Sequence, residues 1–209
     1  MTTQTYKSPG NRYFRPVQIM ATALLMLLLT VACGNSKPPV NKKILTLGDS
    51  ITEGGAWDEL FPDLPVRNRG IGGDTTSGVL DRLDQVSRGR PAKVFLKIGT
   101  NDLSLGVPEA QIAANVGTII ERIRGASPAT EVYVQSVLPR AADYRAPVEG
   151  LNQQLREVAQ EKGATWIDLY PHFLDEADGS IRDDLANDEL HLLGDGYLLW
   201  RERIRSYLR

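Results

Sequence analysis

Lys43-Ile-Leu-Thr-Leu-Gly48-Asp49-Ser50 is the stretch on which the fold turns. Apolar residues crowd into Lys43–Leu47, too few for a helix, and a Gly-Asp-Ser turn follows at once. That combination predicts a buried strand with a serine just past its carboxyl end. Working outward, further strands are expected at Val66–Asn68, Lys93–Ile98, Glu131–Ser136 and Thr165–Asp168. Helices are expected between and after them, at Thr76–Arg88, Pro108–Arg124, Pro147–Lys162 and Leu193–Leu208. In the third helix Val148, Leu151, Leu155, Val158 and Ala159 recur at helical spacing and form one apolar face. Pro108 suits a helix start, where its missing N–H does no harm, and Gly163 suits a stop. Strands alternating with helices imply one α/β domain, a parallel sheet covered on both faces. Such sheets carry their functional loops at the carboxyl ends of the strands.

The amino-terminal segment differs from the rest of the 209 residues. No acidic residue occurs before Cys33; Lys7, Arg12 and Arg15 precede an apolar run from Ile19 to Ala32. Fourteen residues span roughly 21 Å as a helix, short of a hydrocarbon core of about 30 Å. A basic leader, a short apolar run and small residues at its end read as an export signal over residues 1–32. Leu29-Thr30-Val31-Ala32-Cys33 resembles a bacterial lipobox, with Thr30 where leucine is usual. The resemblance implies that Cys33 is lipidated, that residues 33–42 form a polar tether, and that the protein is a membrane-anchored lipoprotein of the bacterial envelope. On the outer-membrane or periplasmic side is where it would sit in a cell with two membranes. Removing residues 1–32 loses three basic residues and no acidic one, so the formal charge moves from −2 to −5. Attachment would then come from acyl chains and not from charge. The acidic balance gives no footprint for nucleic acid. One cysteine and two histidines exclude a disulfide framework and leave little for a Cys/His metal site.

Four segments place chemistry at one rim of the expected sheet: Gly48-Asp49-Ser50, Asn68-Arg-Gly-Ile-Gly-Gly73-Asp-Thr-Thr76, Gly99-Thr-Asn101-Asp102 and Asp188-Glu-Leu-His191. A serine hydroxyl needs a base, and histidine is the usual one near neutral pH. Asp188, three residues before His191, can orient the imidazole and support its charge. Gly73 lets a backbone N–H approach a developing oxyanion, and the Asn101 amide offers a second donor, each such donor being worth about 3 kcal/mol of barrier. Taken singly, each segment also reads as turn chemistry or a helix cap. Gly70-x-Gly72 fails as a dinucleotide fingerprint because Thr75 occupies its third glycine position. No Gly-x-x-x-x-Gly-Lys loop for nucleoside triphosphates and no Gly-x-Ser-x-Gly elbow is present.

In this order and spacing the four segments resemble the SGNH hydrolases, the GDSL-type lipases and esterases, from about Lys43 to the last helix. The resemblance implies a flavodoxin-like domain over residues 43–209, a five-stranded parallel sheet in the order 2-1-3-4-5. It implies a Ser50–His191–Asp188 triad, an oxyanion hole formed by the Ser50 and Gly73 N–H groups and the Asn101 side chain, and no metal or organic cofactor. The expected substrate is a small-molecule or glycan ester. Asn68–Thr76 and Ser136-Val-Leu-Pro-Arg140 look similar to acetylhydrolases of the platelet-activating-factor type and to bacterial acetylesterases acting on acylated sugars. Short acyl groups, acetyl above all, are therefore the expected cargo. Relatives acting on longer chains, lysophospholipases and thioesterases, form the alternative; no apolar stripe of the kind that enters lipid is visible in residues 43–209. A non-catalytic glycan-binding envelope lipoprotein is the alternative from another class, against which the retention of all four segments speaks. His172, the only other histidine, reads as structural. Arg140 either lines the site or caps a strand end. The oligomeric state is left open.

Overall fold

The structure, a computed structural model, describes residues 1–4 and 41–209. The export signal, Cys33 and most of the tether lie outside the described residues. Residues 1–4 are exposed and irregular. In the rest, the chain runs through β1 (Asn41–Gly48), α1 (Ser50–Glu53), α2 (Trp57–Leu60), β2 (Val66–Gly70), α3 (Thr76–Ser87) and β3 (Pro91–Lys97). It continues through α4 (Thr100–Ser104), α5 (Glu109–Ala126), β4 (Glu131–Gln135), α6 (Arg145–Glu161), β5 (Thr165–Ile167), α7 (Tyr170–Phe173) and α8 (Gly194–Ile204). Short 3₁₀ turns precede α6 at Ala142–Tyr144 and follow α8 at Arg205–Tyr207. All pairings are parallel and the sheet order is β2-β1-β3-β4-β5, as the resemblance implied.

Strand position follows from composition. Ile44, Leu45, Thr46 and Leu47 are all buried, which suits a strand flanked by β2 and β3 and covered on both faces. β2 holds an edge, and its burial alternates. Leu45, Leu47, Val94 and Leu96 point into one core with Val79 and Leu83 of α3, Ile112 to Ile123 of α5 and Leu151 of α6. Ile44, Phe95 and Tyr133 point into the other, with Trp57 of α2 and Trp200 and Ile204 of α8. Neighbouring strand residues serve opposite cores, the period-two rule in both layers.

The four long helices and five strands fall where the sequence places them, with ends moved by a few residues. β1 begins two residues earlier than expected, and the last helix gives way to a 3₁₀ turn at Arg205. Thr75 caps α3 by accepting from the Gly78 N–H, and Gly163, at φ 67°, ends the segment after α6. The one-turn helices α1, α2, α4 and α7 have no sequence counterpart, since a single turn shows no period.

Candidate active site

Ser50 stands where β1 stops. Asp49 adopts extended geometry and its Oδ1 accepts from the Ile51 N–H at 3.0 Å, so it caps α1 and makes Ser50 the first helical residue. The Ser50 N–H is thereby one of the helix-start donors without an intrahelical acceptor. Asp49 itself is fully buried, with the equally buried Lys97 ammonium 3.9 Å away at the end of β3. Burial pushes the Lys97 pKa down, and the Asp49 charge partly opposes that shift. The turn that carries Ser50 thus rests on a buried pair, Asp49 and Lys97, the latter supplied by the neighbouring central strand.

On one side of Ser50 lies the loop from Leu185 to Leu193. Its ends are closed by an antiparallel bridge between Ala186 and Leu192 and by the Leu193 N–H donating to the Leu185 carbonyl. His191 Nε2 lies 2.9 Å from Ser50 Oγ. Its Nδ1 lies 2.7 Å from Asp188 Oδ2, while Asp188 Oδ1 accepts from the backbone N–H groups of His191 and Leu190. An ionised carboxylate can only accept, which puts the ring proton on Nδ1 and leaves Nε2 to accept from the serine. Hydrogen bonds from the His191 ring and backbone hold the Asp188 carboxyl below the usual range. Both side chains are open to solvent, His191 by 44% and Asp188 by 51%. Glu189, between them, sits at φ 59°, a left-handed conformation that costs a non-glycine residue energy and lets one carboxylate reach both backbone and ring.

The opposite side is built from the loop after β2 and from α4. Gly73 is at φ 74°, and a Cβ placed there would meet nothing within 4 Å, so the position opens onto free space. The Asn101 Nδ2 donates to the Asp74 carbonyl at 2.8 Å, which aims the amide and leaves its second N–H available. Arg82 forks onto the Asp74 carboxylate at 2.6 and 2.8 Å and also donates to the Gly48 carbonyl at 3.2 Å. Asp102, 1% exposed, accepts from the Thr76 N–H and from its hydroxyl at 2.6 Å; Asn115 of α5 donates to that same hydroxyl. Gly99, at φ 128°, starts α4 by letting the chain turn sharply out of β3. Arg140 settles the question its position raised: it donates to the Thr100 carbonyl at 3.1 Å and to Ser104 Oγ at 2.7 Å, stacked on Tyr144. It braces the helix that carries Asn101.

The structure therefore brings Ser50, His191 and Asp188 into one hydrogen-bonded chain and holds Gly73 on a loop and Asn101 on α4, tied to each other and to the end of β1. His172 lies in α7 and its ring makes no hydrogen bond to these groups. Asp49, Arg82, Asp102 and Asn115 support the site from behind. Asp49 and Asp102 fall inside two of the four sequence segments, whereas Arg82 and Asn115 carry no local signal. Ile71, Leu105 and Leu193, each within a few residues of a site group, are the large apolar side chains left exposed there. They come from three separate loops, which is why no stripe is visible in sequence. Among the described residues no group of acidic, histidine or cysteine side chains is arranged to hold a metal ion.

A family model for GDSL-like lipases and acylhydrolases matches residues 46–199. Human platelet-activating factor acetylhydrolase IB subunit alpha1 is 32% identical over 178 residues, covering 80% of this chain and 74% of that protein. Among solved structures, a GDSL-like lipase from Bacteroides thetaiotaomicron aligns with a TM-score of 0.74 at 23% identity, covering 90% of this chain and 97% of that one. An acetyl xylan esterase aligns with a TM-score of 0.70 at 21% identity, covering 80% and 100%. At those identities the two structures speak for the fold.

Proposed function

The chain belongs to the GDSL-like lipase/acylhydrolase family and is a carboxylic ester hydrolase, and from that premise we propose that it removes short acyl groups, acetyl above all, from carbohydrate or other small esters. The observation that carries the mechanism is the chain from Ser50 Oγ through His191 to Asp188, at 2.9 and 2.7 Å. His191 Nε2 takes the Ser50 proton as Oγ attacks the acyl carbon. Asp188 fixes the tautomer and supports the imidazolium that forms. The N–H groups of Ser50 and Gly73 and the free N–H of Asn101 stabilise the oxyanion. Collapse expels the alcohol with the proton from His191, and water, deprotonated by the same nitrogen, releases the acid from the acyl-enzyme.

The acetyl preference is supported by the kind of ester in the names of its relatives, an acetylhydrolase and an acetyl xylan esterase. Exposed Ile71, Leu105 and Leu193 favour the second reading, a lysophospholipase or thioesterase with room for a longer chain. Initial rates on 4-nitrophenyl acetate and decanoate separate the two: faster acetate turnover is expected, and faster decanoate turnover selects the second reading. Labelling by a fluorophosphonate probe, lost in Ser50→Ala, tests the nucleophile. Export and anchoring through Cys33 belong to the same proposal, supported by the pattern of residues 19–33. Incorporation of an alkynyl fatty acid, absent from Cys33→Ser, is the expected result; equal incorporation would remove the anchor.

A further inference from the structure

Beside the loop that carries Gly73, edge strand β2 and helix α3 enclose a groove. Its upper part, of about 240 Å³, is lined by Asn68, Arg69, Ile71 and Gln85. A second cavity of about 100 Å³, with Arg67, Arg69 and Gln85 in its walls, continues it toward the amino end of the sheet. Arg69 and Gln85 line both parts, which places the two cavities side by side along the strand. Arg67 and Arg69 are two apart on a strand and so share a face, roughly 7 Å apart along it. Both are exposed. The Arg69 side chain has no hydrogen bond or ion pair among the described residues, and the hydrogen bond from the Arg67 side chain goes to the Val66 carbonyl, not to an acid. Arg82, which also faces this groove, is already matched by Asp74. Two uncompensated guanidinium groups in one polar groove stand out in a chain whose formal charge is negative.

We propose that this groove is a subsite for a carboxylate-bearing oligosaccharide whose acyl ester lies at Ser50; the proposal rests on the esterase reading above. Guanidinium groups match carboxylates as planar forks, and the amides of Asn68 and Gln85 suit sugar hydroxyls. A five-residue strand offers a run of roughly 17 Å, enough for an extended chain and more than a small ester needs. The groove begins at Ile71, two residues from Gly73, so a saccharide esterified at the site reaches it by crossing a single loop. An edge strand also carries charge merely to discourage pairing with other chains, and the experiment separates that role from binding.

Three substrates are compared: 4-nitrophenyl acetate, a neutral acetylated xylo-oligosaccharide, and an acetylated oligosaccharide of equal length bearing one uronic acid. The acidic substrate is expected to show a KM about tenfold below the neutral one at similar kcat, a gap that narrows in high salt as charges are screened. In the R67Q/R69Q double variant that gap closes, while turnover of 4-nitrophenyl acetate is unchanged. Equal KM values in the unaltered protein, or a gap that survives in the variant, overturn the subsite. Titration of a deacetylated acidic oligosaccharide into Ser50→Ala measures binding without turnover, with inorganic phosphate as competitor. Binding that needs both arginines and resists millimolar phosphate supports the saccharide, and displacement by phosphate at that level overturns it. Failure to hydrolyse 4-nitrophenyl acetate would strike the esterase reading alone, since the titration stands by itself.

Discussion

The loop bearing Asp188 and His191 and the wall bearing Gly73 and Asn101 face the same serine, and they are made in opposite ways. The loop is half open to water, closed by one β-bridge, and held in shape by hydrogen bonds among residues no more than eight apart. The wall is held by residues far apart in sequence: Asn101 to Asp74, Asp102 to Thr76, Asn115 to Thr76, Arg82 to Gly48. Proton transfer needs a base that water and product can reach and that is free to re-form its hydrogen bonds each cycle. Oxyanion stabilisation needs donors fixed before charge develops, and fixed donors need a dry, over-determined scaffold. Under the proposed mechanism the two demands match the two constructions.

Variants on the two sides should accordingly fail in different currencies. Ser50→Ala and His191→Ala should each lower kcat by about 10⁶-fold, while stability in chemical denaturation stays within about 0.5 kcal/mol, as expected for positions outside the buried core. A large loss of stability in His191→Ala would break the contrast. Asn101→Ala should lower kcat by about 10²- to 10³-fold with KM little changed, because its free N–H acts on the transition state. An unchanged rate would remove it from the oxyanion hole. Asp102→Ala leaves the Thr76 N–H and hydroxyl without their buried acceptor, at about 3 kcal/mol of stability. If that variant instead keeps its stability and loses only rate, the wall is not a scaffold in the sense described.

Two smaller effects sharpen the same division. Glu189→Val places a β-branched residue at φ 59°, a strain of about 1–2 kcal/mol. In a solvent-exposed loop that strain should appear as local opening, about a tenfold drop in kcat with an unchanged melting temperature. A lowered melting temperature would show that the loop is coupled to the core after all. His172 lies away from both sides. Burial first, then the nearby Arg203 charge, lowers its pKa in the folded protein, with Asp168 opposing. The unfolded chain therefore takes up the proton first. Stability is intact above the ordinary histidine value of about 6.5 and declines as pH falls through it toward the folded value. Denaturation at pH 8 and pH 5.5 should show this slope in the unaltered protein and a shallower one in His172→Gln.

What the sequence disclosed follows the same line. The strand expected at Lys93–Ile98 and the helix expected at Pro147–Lys162 are written in apolar patterning, and they form at Pro91–Lys97 and Arg145–Glu161, each end within two residues of that reading. The side chains aligned around Ser50 were legible because serine, histidine, aspartate and asparagine declare their chemistry at short range. The scaffold was not. Lys97 reads as one polar residue in an apolar run, and nothing local announces that its ammonium lies buried against Asp49. Arg140 and Arg82, besides their nearby partners, reach backbone and side-chain oxygens 34 to 40 residues away. The left-handed conformation of Glu189 lies inside a loop closed by the bridge between Ala186 and Leu192, a pairing that no local pattern announces.

A parallel sheet has a front and a back. β1 enters from the back at Asn41 and delivers Ser50 to the front, so whatever holds the chain upstream of Asn41 grips it roughly 26 Å from the nucleophile. The point where the chain enters and the serine it delivers thus lie at opposite ends of one central strand.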